Sequence, residues 1–207
     1  MRLVLVDRNR EICDTLRWRF RDHPEVEIIC GPFEELPAFH CIATAGNSFG
    51  LMDAGMDLAV VRFFGVPVME KIQAHILREY LGEQPVGSSF LVPTHHPEHP
   101  FVAHSPTMRI PMNISGTDQV YQAMWATLLA VHRHNEQGAE REIGVLACPA
   151  FGTGTGGMSP VEAGLQMELA YRHFRNPPEF LNPSVAQSRQ DRIHYGGRWG
   201  FENPRKP

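Results

Sequence analysis

The segment ATAGNSFGLMDAGMDLAV, residues 43 to 60, decides how this chain is read. It begins as the end of a strand and finishes as the start of a helix. Between the two, Asn47, Asp53 and Asp57 stand among glycines and apolar residues. The residues CIATA (41 to 45) make a short apolar strand, so the loop is delivered at a carboxyl end. In open α/β sheets ligands bind at such ends, because helix N-termini and loop amides converge there.

Working outward, LVLV (3 to 6) is a continuous apolar run typical of a strand buried on both faces, and Asp7 and Asn9 after it can end the strand and cap a helix. In REICDTLRWRFRDH the apolar residues Ile12, Cys13, Leu16 and Phe20 recur at helical spacing until His23-Pro24 stops them. VEIIC (26 to 30) reads as the next strand, and strand, helix, strand implies a right-handed parallel unit. Gly65 ends a short helix, and Pro67 suits the first turn of another that runs to Gly82. SSFLVP and PFVAHS read as two strands of a hairpin. Thr117 is placed to cap the helix DQVYQAMWATLLAVHRHN. EIGVLACPAF (142 to 151) is the strongest strand signal, followed by the loop GTGTGGMSP and a last helix, VEAGLQMELAYRHF. The layout is α/β, with a mixed sheet of six or seven strands between two helical layers.

Composition narrows the function classes. The chain has 207 residues, 43% hydrophobic and 20% charged, which suits one main domain with a sizeable core. A net charge of -4 argues against non-specific binding to nucleic-acid phosphates, which needs surplus positive charge. No apolar stretch is long enough for a signal peptide or a membrane span, so a cytoplasmic protein without membrane contact is expected. Cys13, Cys30, Cys41 and Cys148 lack metal-site spacing and read as buried thiols. The histidines of THHPEHPFVAH, His95, His96, His99 and His104, fit no zinc pattern, and the prolines among them mark a turn. No metal is assigned.

The second loop, GTGTGG (152 to 157), also follows a strand. Its glycines leave backbone N–H groups unobstructed, and Thr153 and Thr155 add hydroxyl donors, so an anionic phosphate can approach closely. It has no lysine and fails the GxxxxGK[ST] pattern of nucleoside triphosphatases.

Together the two loops resemble the macrodomain fold of ADP-ribose-binding modules, nearest to hydrolytic macrodomains of the MacroD type, whose first loop reads N-A-A-N-x-x-L-x-G-G-G-V-D-G-A-I. ATAGNSFGLMDAGMDLAV aligns with it without gaps. Asn47 matches the second Asn and Asp57 the Asp, ten residues on. SSFLVPTHHPEHPFVAHSPTM is similar to the family's strand pair ending V-I-H-T, which makes His104 a structural strand histidine. LACPAFGTGTGG is similar to F-P-A-I-S-T-G-I-Y-G. The resemblance spans residues 26 to 175 and implies a domain over 1–175. Two departures stand out. Met52, Asp53, Ala54 and Gly55 replace most of the family's glycine run, and GPF at 31 to 33 replaces a G-D-I whose Asp binds the adenine amino group. Base recognition would then fall to backbone groups, to stacking on Phe33, or to an acid such as Asp7 or Glu34.

The resemblance implies hydrolysis of mono-ADP-ribose from a modified protein, nucleic acid or small molecule, with no cofactor. Asn47 would hold ribose hydroxyls through both ends of its amide and Asp57 would take a proton from water or orient it for attack. Ala45, Gly46, Asp53, Gly55 and Met56 of the first loop, and Phe151, Gly152, Thr153, Gly154, Thr155, Gly156 and Gly157 of the second, would line the ligand. Asp57 reads equally as a helix-start residue stabilised by the helix dipole, and Asn47 as a left-handed turn residue. A non-catalytic reader of ADP-ribose or a related nucleotide is the alternative. A third reading is an RNA-associated module using the tail 176–207, where Arg189, Arg192, Tyr195, Arg198, Trp199 and Phe201 interleave guanidinium groups and rings.

Overall fold

The computed structural model describes residues 1–138 and 140–190, together with Ile193. Six strands, β1 (Arg2–Asp7), β2 (Glu27–Cys30), β3 (Cys41–Thr44), β4 (Phe90–Pro93), β5 (Phe101–His104) and β6 (Val145–Pro149), form one sheet in the order β2-β1-β6-β3-β5-β4. The neighbours are parallel except for the β4–β5 hairpin, where Phe90 faces His104.

The continuous apolar runs are explained by a core on each face. Leu3, Leu5, Cys41, Ala43, Leu146 and Cys148 point into one layer with α1 (Arg10–Arg19), α4 (Gln119–Glu136) and α5 (Pro160–Arg175). Val4, Val6, Ile42, Val102 and Ala147 point into the other, against α2 (Gly55–Phe64) and α3 (Val66–Glu79). Side chains alternate along a strand, so position parity assigns every strand residue to one layer.

Local chemistry sets the helix ends. The Asn9 side chain accepts the Glu11 N–H at 2.9 Å and starts α1. Gly65 ends α2 at φ +88° and passes the chain into α3, where Pro67 sits in the first turn. The cap of α4 is Asp118 rather than Thr117, but the Thr117 hydroxyl still accepts the Gln119 N–H at 3.4 Å. A short helix, α6 (Pro183–Gln190), follows α5 inside the segment expected as a tail. Among the described residues no helix is long and apolar enough to cross a membrane. Cys13, Cys41 and Cys148 are buried, whereas Cys30, at the end of β2, is exposed.

Candidate functional site

A cleft enclosing about 140 Å³ opens at the carboxyl ends of β3 and β6, between the two loops singled out above. From the first loop it is lined by Ala45, Gly46, Asn47, Asp53, Gly55, Met56 and Asp57, and from the second by Gly152, Gly154, Thr155 and Gly156. Four expected residues lie elsewhere. Phe33 is buried edge-on against Phe39 and Phe63. Phe151 is in the core beneath α4 and α5. Thr153 turns its hydroxyl back to the Ala150 carbonyl at 3.0 Å, and Gly157 packs beside Asn113.

A third wall was not foreseen. Thr107, Met108 and Pro111 line the cleft from the segment after β5. The backbone of that segment continues the β3–β5 pairing beyond both strands: Ser105 N–H donates to Thr44 O, Thr107 N–H to Gly46 O, and Ser48 N–H to Met108 O, each at 3.1 Å. Its polar and proline residues hide this extension, because ladder bonds past a strand end leave no side-chain pattern.

Within the first loop Asn47 is 6% exposed and its amide bonds to the loop's own backbone at both ends. Its Nδ2 donates to Leu51 O at 2.8 Å, and its Oδ1 accepts the N–H groups of Phe49 (3.1 Å) and Leu51 (3.2 Å). Asn47 therefore shapes the turn. Oδ1 already accepts two N–H groups, whereas Nδ2 has a second hydrogen left for a ligand.

Asp57 sits in the first turn of α2, buried, with Oδ1 lacking a hydrogen-bond partner among the described residues. Burial pushes its carboxyl up to about 7. The nearby Thr44 hydroxyl offsets part of this and the charge of Asp53 adds to it, yet Thr44 Oγ1 itself makes no well-formed hydrogen bond among the described residues. The helix dipole favours a carboxylate here, by about 0.3–1 kcal/mol at exposed sites. The shift of roughly three pH units corresponds to about 4 kcal/mol, so desolvation wins. Asp53 stands exposed at the cleft mouth, just before the helix.

The second loop offers backbone. It closes on itself through Gly157 N–H to Gly154 O and Met158 N–H to Gly152 O, each at 3.0 Å, and is tied to the third wall by Ile114 N–H to Gly156 O at 2.8 Å. Among the described residues, the N–H groups of Thr153, Gly154, Thr155 and Gly156 donate to nothing. Gly154, Thr155 and Gly156, which line the cleft, thus have amides free to receive an anion.

Further along the strand ends, the Asp7 carboxylate accepts the Asn9 N–H at 2.8 Å and is also stabilised by the amide of Ala150, a cleft residue. Burial outweighs these bonds and raises its pKa. Glu34 is paired with Arg8 at 3.0 Å. In the tail, Arg189 lies over the Trp125 ring at 5.4 Å and donates to His173 O at 3.3 Å, so it packs on the domain. Arg192, Tyr195, Arg198, Trp199 and Phe201 lie outside the described residues. The histidine-rich turn is an aromatic stack: His96 on His99, and His99 on Phe39 with ring centres 3.9 Å apart. Among the described residues no three His, Cys, Asp or Glu side chains form a metal-holding group.

The chain belongs to the Macro domain family, whose sequence model matches residues 43–167. The matched part holds both loops and leaves β1, α1 and β2 outside. No curated protein matches the sequence. Among solved structures, the macrodomain of Mycobacterium tuberculosis DarG is similar at 17% identity and a TM-score of 0.58, covering 70% of this chain and 88% of its own. The Oceanobacillus iheyensis macrodomain with ADP gives 17% and 0.56, covering 70% and 75%. The Trypanosoma brucei macrodomain in complex with ADP-ribose gives 17% and 0.52, covering 70% and 56%. Identities this low speak to the fold.

Proposed function

We propose that this chain binds ADP-ribose and hydrolyses mono-ADP-ribose from a modified acceptor. The diphosphate rests on the open amides of 153–156, and the distal ribose enters between Gly46 and Gly156. Asp57 takes a proton from the water that attacks the anomeric carbon; the new C–O bond forms as the bond to the acceptor breaks, the acceptor leaves with the bonding electron pair and takes a proton from solvent, and Asp57 returns its own to solvent. The base extends toward Asp7, and the segment that would read it lies outside the family match. A cleft of about 140 Å³ is smaller than the ~300 Å³ lower bound usual for ligand pockets, so it holds the ribose end while the nucleoside lies along the strand ends. ADP-ribose bound in the Trypanosoma brucei macrodomain supports the ligand class.

One observation carries the hydrolytic reading: a buried carboxyl poised at about 7 belongs to a residue that lines the cleft together with the glycine loop. A general base works best with a pKa near the working pH and contributes roughly 10²–10⁴-fold. The competing reading, a non-catalytic reader, draws on the commitment of the Asn47 amide to its own loop. Release of ADP-ribose from a modified substrate, compared between the native chain and Asp57→Ala, decides between them. A loss of roughly 10²-fold or more with calorimetric ADP-ribose binding retained is expected. Full turnover in the variant rejects Asp57 as the base.

A further inference from the structure

Three buried polar atoms gather behind the cleft wall with no hydrogen-bond partner among the described residues: Thr44 Oγ1, Asp57 Oδ1 and His104 Nε2. Register explains why they meet. Thr44 and His104 are paired across β3 and β5, in phase with Ile42 and Val102, whose side chains enter the α2–α3 layer. Asp57 descends onto that face from α2. Gly46 separates the carboxylate from the imidazole: a Cβ there would stand 2.5 Å from His104 Nε2 and 3.2 Å from Asp57 Oδ2. A glycine is what leaves the way between them open.

The tautomer of His104 follows from its partners. Its Nδ1 lies 2.6 Å from Gln84 Oε1, and Gln84 Nε2 donates to Ser88 Oγ (3.1 Å) and His104 O (3.3 Å). Turning the amide round would set its oxygen against that carbonyl. An amide oxygen only accepts, so Nδ1 carries the hydrogen and Nε2 presents a lone pair toward Gly46.

We propose that His104 is a positioning residue for Asp57: Gln84 holds its ring with Nδ1 protonated, so that past Gly46 an unprotonated Nε2 faces the Asp57 carboxyl and favours its protonated form. This rests on the reading of Asp57 as the base, and adds what sets its protonation. Burial acts in the same direction on both partners, favouring the neutral acid and holding His104 neutral down to about 3. The other charged or titratable groups facing the pair are Asp53 on the first loop and His75 of α3, which lies behind His104 across the Phe90 ring.

The test needs no substrate. In the ligand-free full chain, isotope-edited NMR follows the His104 ring nitrogens and the Asp57 carboxyl carbon over about pH 5 to 9. Nδ1 is expected to stay protonated while the Nε2 resonance moves with the same midpoint as the Asp57 carboxyl. Asp57→Asn should flatten that movement, and His75→Gln should leave it in place. A flat Nε2 resonance in the native chain while Asp57 titrates overturns the proposal, even if the variant fails to fold. So does a step that survives in Asp57→Asn. Full turnover by Asp57→Ala would reject Asp57 as the base and leave the coupling of His104 to Asp57 standing, so the two failures are distinguishable.

Discussion

The two loops of the cleft are built on opposite plans. The first withdraws side-chain groups from water: Asn47, Ser48 and Asp57 are all buried, and Asn47 spends its amide on the turn. The second exposes main chain: Gly154 and Thr155 are open to solvent and the amides of 153–156 are unspent. A group that must change protonation gains from desolvation, which moves its pKa toward neutrality. An anion cradle gains instead from backbone that nothing covers. Substitutions should therefore act through sterics in the second loop and through proton binding in the first.

The largest effect is expected at Gly156. A Cβ there would meet Gly152 O at 2.6 Å and Ile114 Cγ1 at 2.9 Å, and a backbone carbonyl cannot step aside as a flexible side chain can. Gly156→Val should weaken ADP-ribose binding by roughly 100-fold and cost about 1–3 kcal/mol of stability from overpacking. Calorimetry and denaturant unfolding measure the two. At Gly154 a Cβ meets nothing within 4 Å, so Gly154→Ala should unfold like the native chain. Native binding by Gly156→Val would show that the diphosphate lies elsewhere.

The second prediction concerns the first loop and has a sign that can be worked out. Folding raises the Asp57 pKa from 3.8 to about 7, so this group's contribution to stability is lost as pH rises through that window. Folding lowers the His104 pKa from 6.5 to about 3, so its contribution is lost as pH falls through its own window. Between about pH 4 and 6.5 the unfolded pair holds one proton on His104 and the folded pair holds one on Asp57. The two slopes cancel there. Asp57→Asn removes one of them, and its stability should fall on acidification through that window by up to about 1.4 kcal/mol per pH unit relative to the native chain. Urea unfolding at several pH values checks it; parallel curves for the two proteins would mean that the protons are not exchanged in this way.

That pairing also marks where sequence reading stops. The strands were legible because LVLV and EIGVLACPAF are apolar without interruption, and the loops because glycine and polar residues followed them. The same uninterrupted runs conceal register: with both faces buried, nothing in CIATA or FVAH says that Thr44 faces His104. His104 was readable as a strand residue, but its approach to Asp57 past Gly46 is a three-element property. Asn47 was ambiguous for a related reason. A conformation in which Leu51 returns to the asparagine depends on a turn, and the residue type alone does not distinguish a turn-forming amide from a ligand-binding one. Phe33 and Phe151 stand near glycines in the sequence, yet apolar demand draws both rings into the cores.

The smallest effect is expected at Asp53, where the loops differ least from water. It is exposed at the cleft mouth, and its charge raises the Asp57 pKa less than burial does. Asp53→Gly removes a negative charge from the path of a diphosphate and from the neighbourhood of the base. Both consequences are electrostatic. Affinity for ADP-ribose should rise a few-fold at low salt, and the Asp57 midpoint should fall by a few tenths of a pH unit, moving the acid limb of the pH–rate profile downward. Both shifts should shrink as salt is raised, because the Debye length drops from about 30 Å at 0.01 M to about 3 Å at 1 M. An affinity gain that persists at high salt would instead be steric, from the freer backbone that glycine supplies. In that case the first loop would be using backbone as the second does, and the contrast between them would narrow.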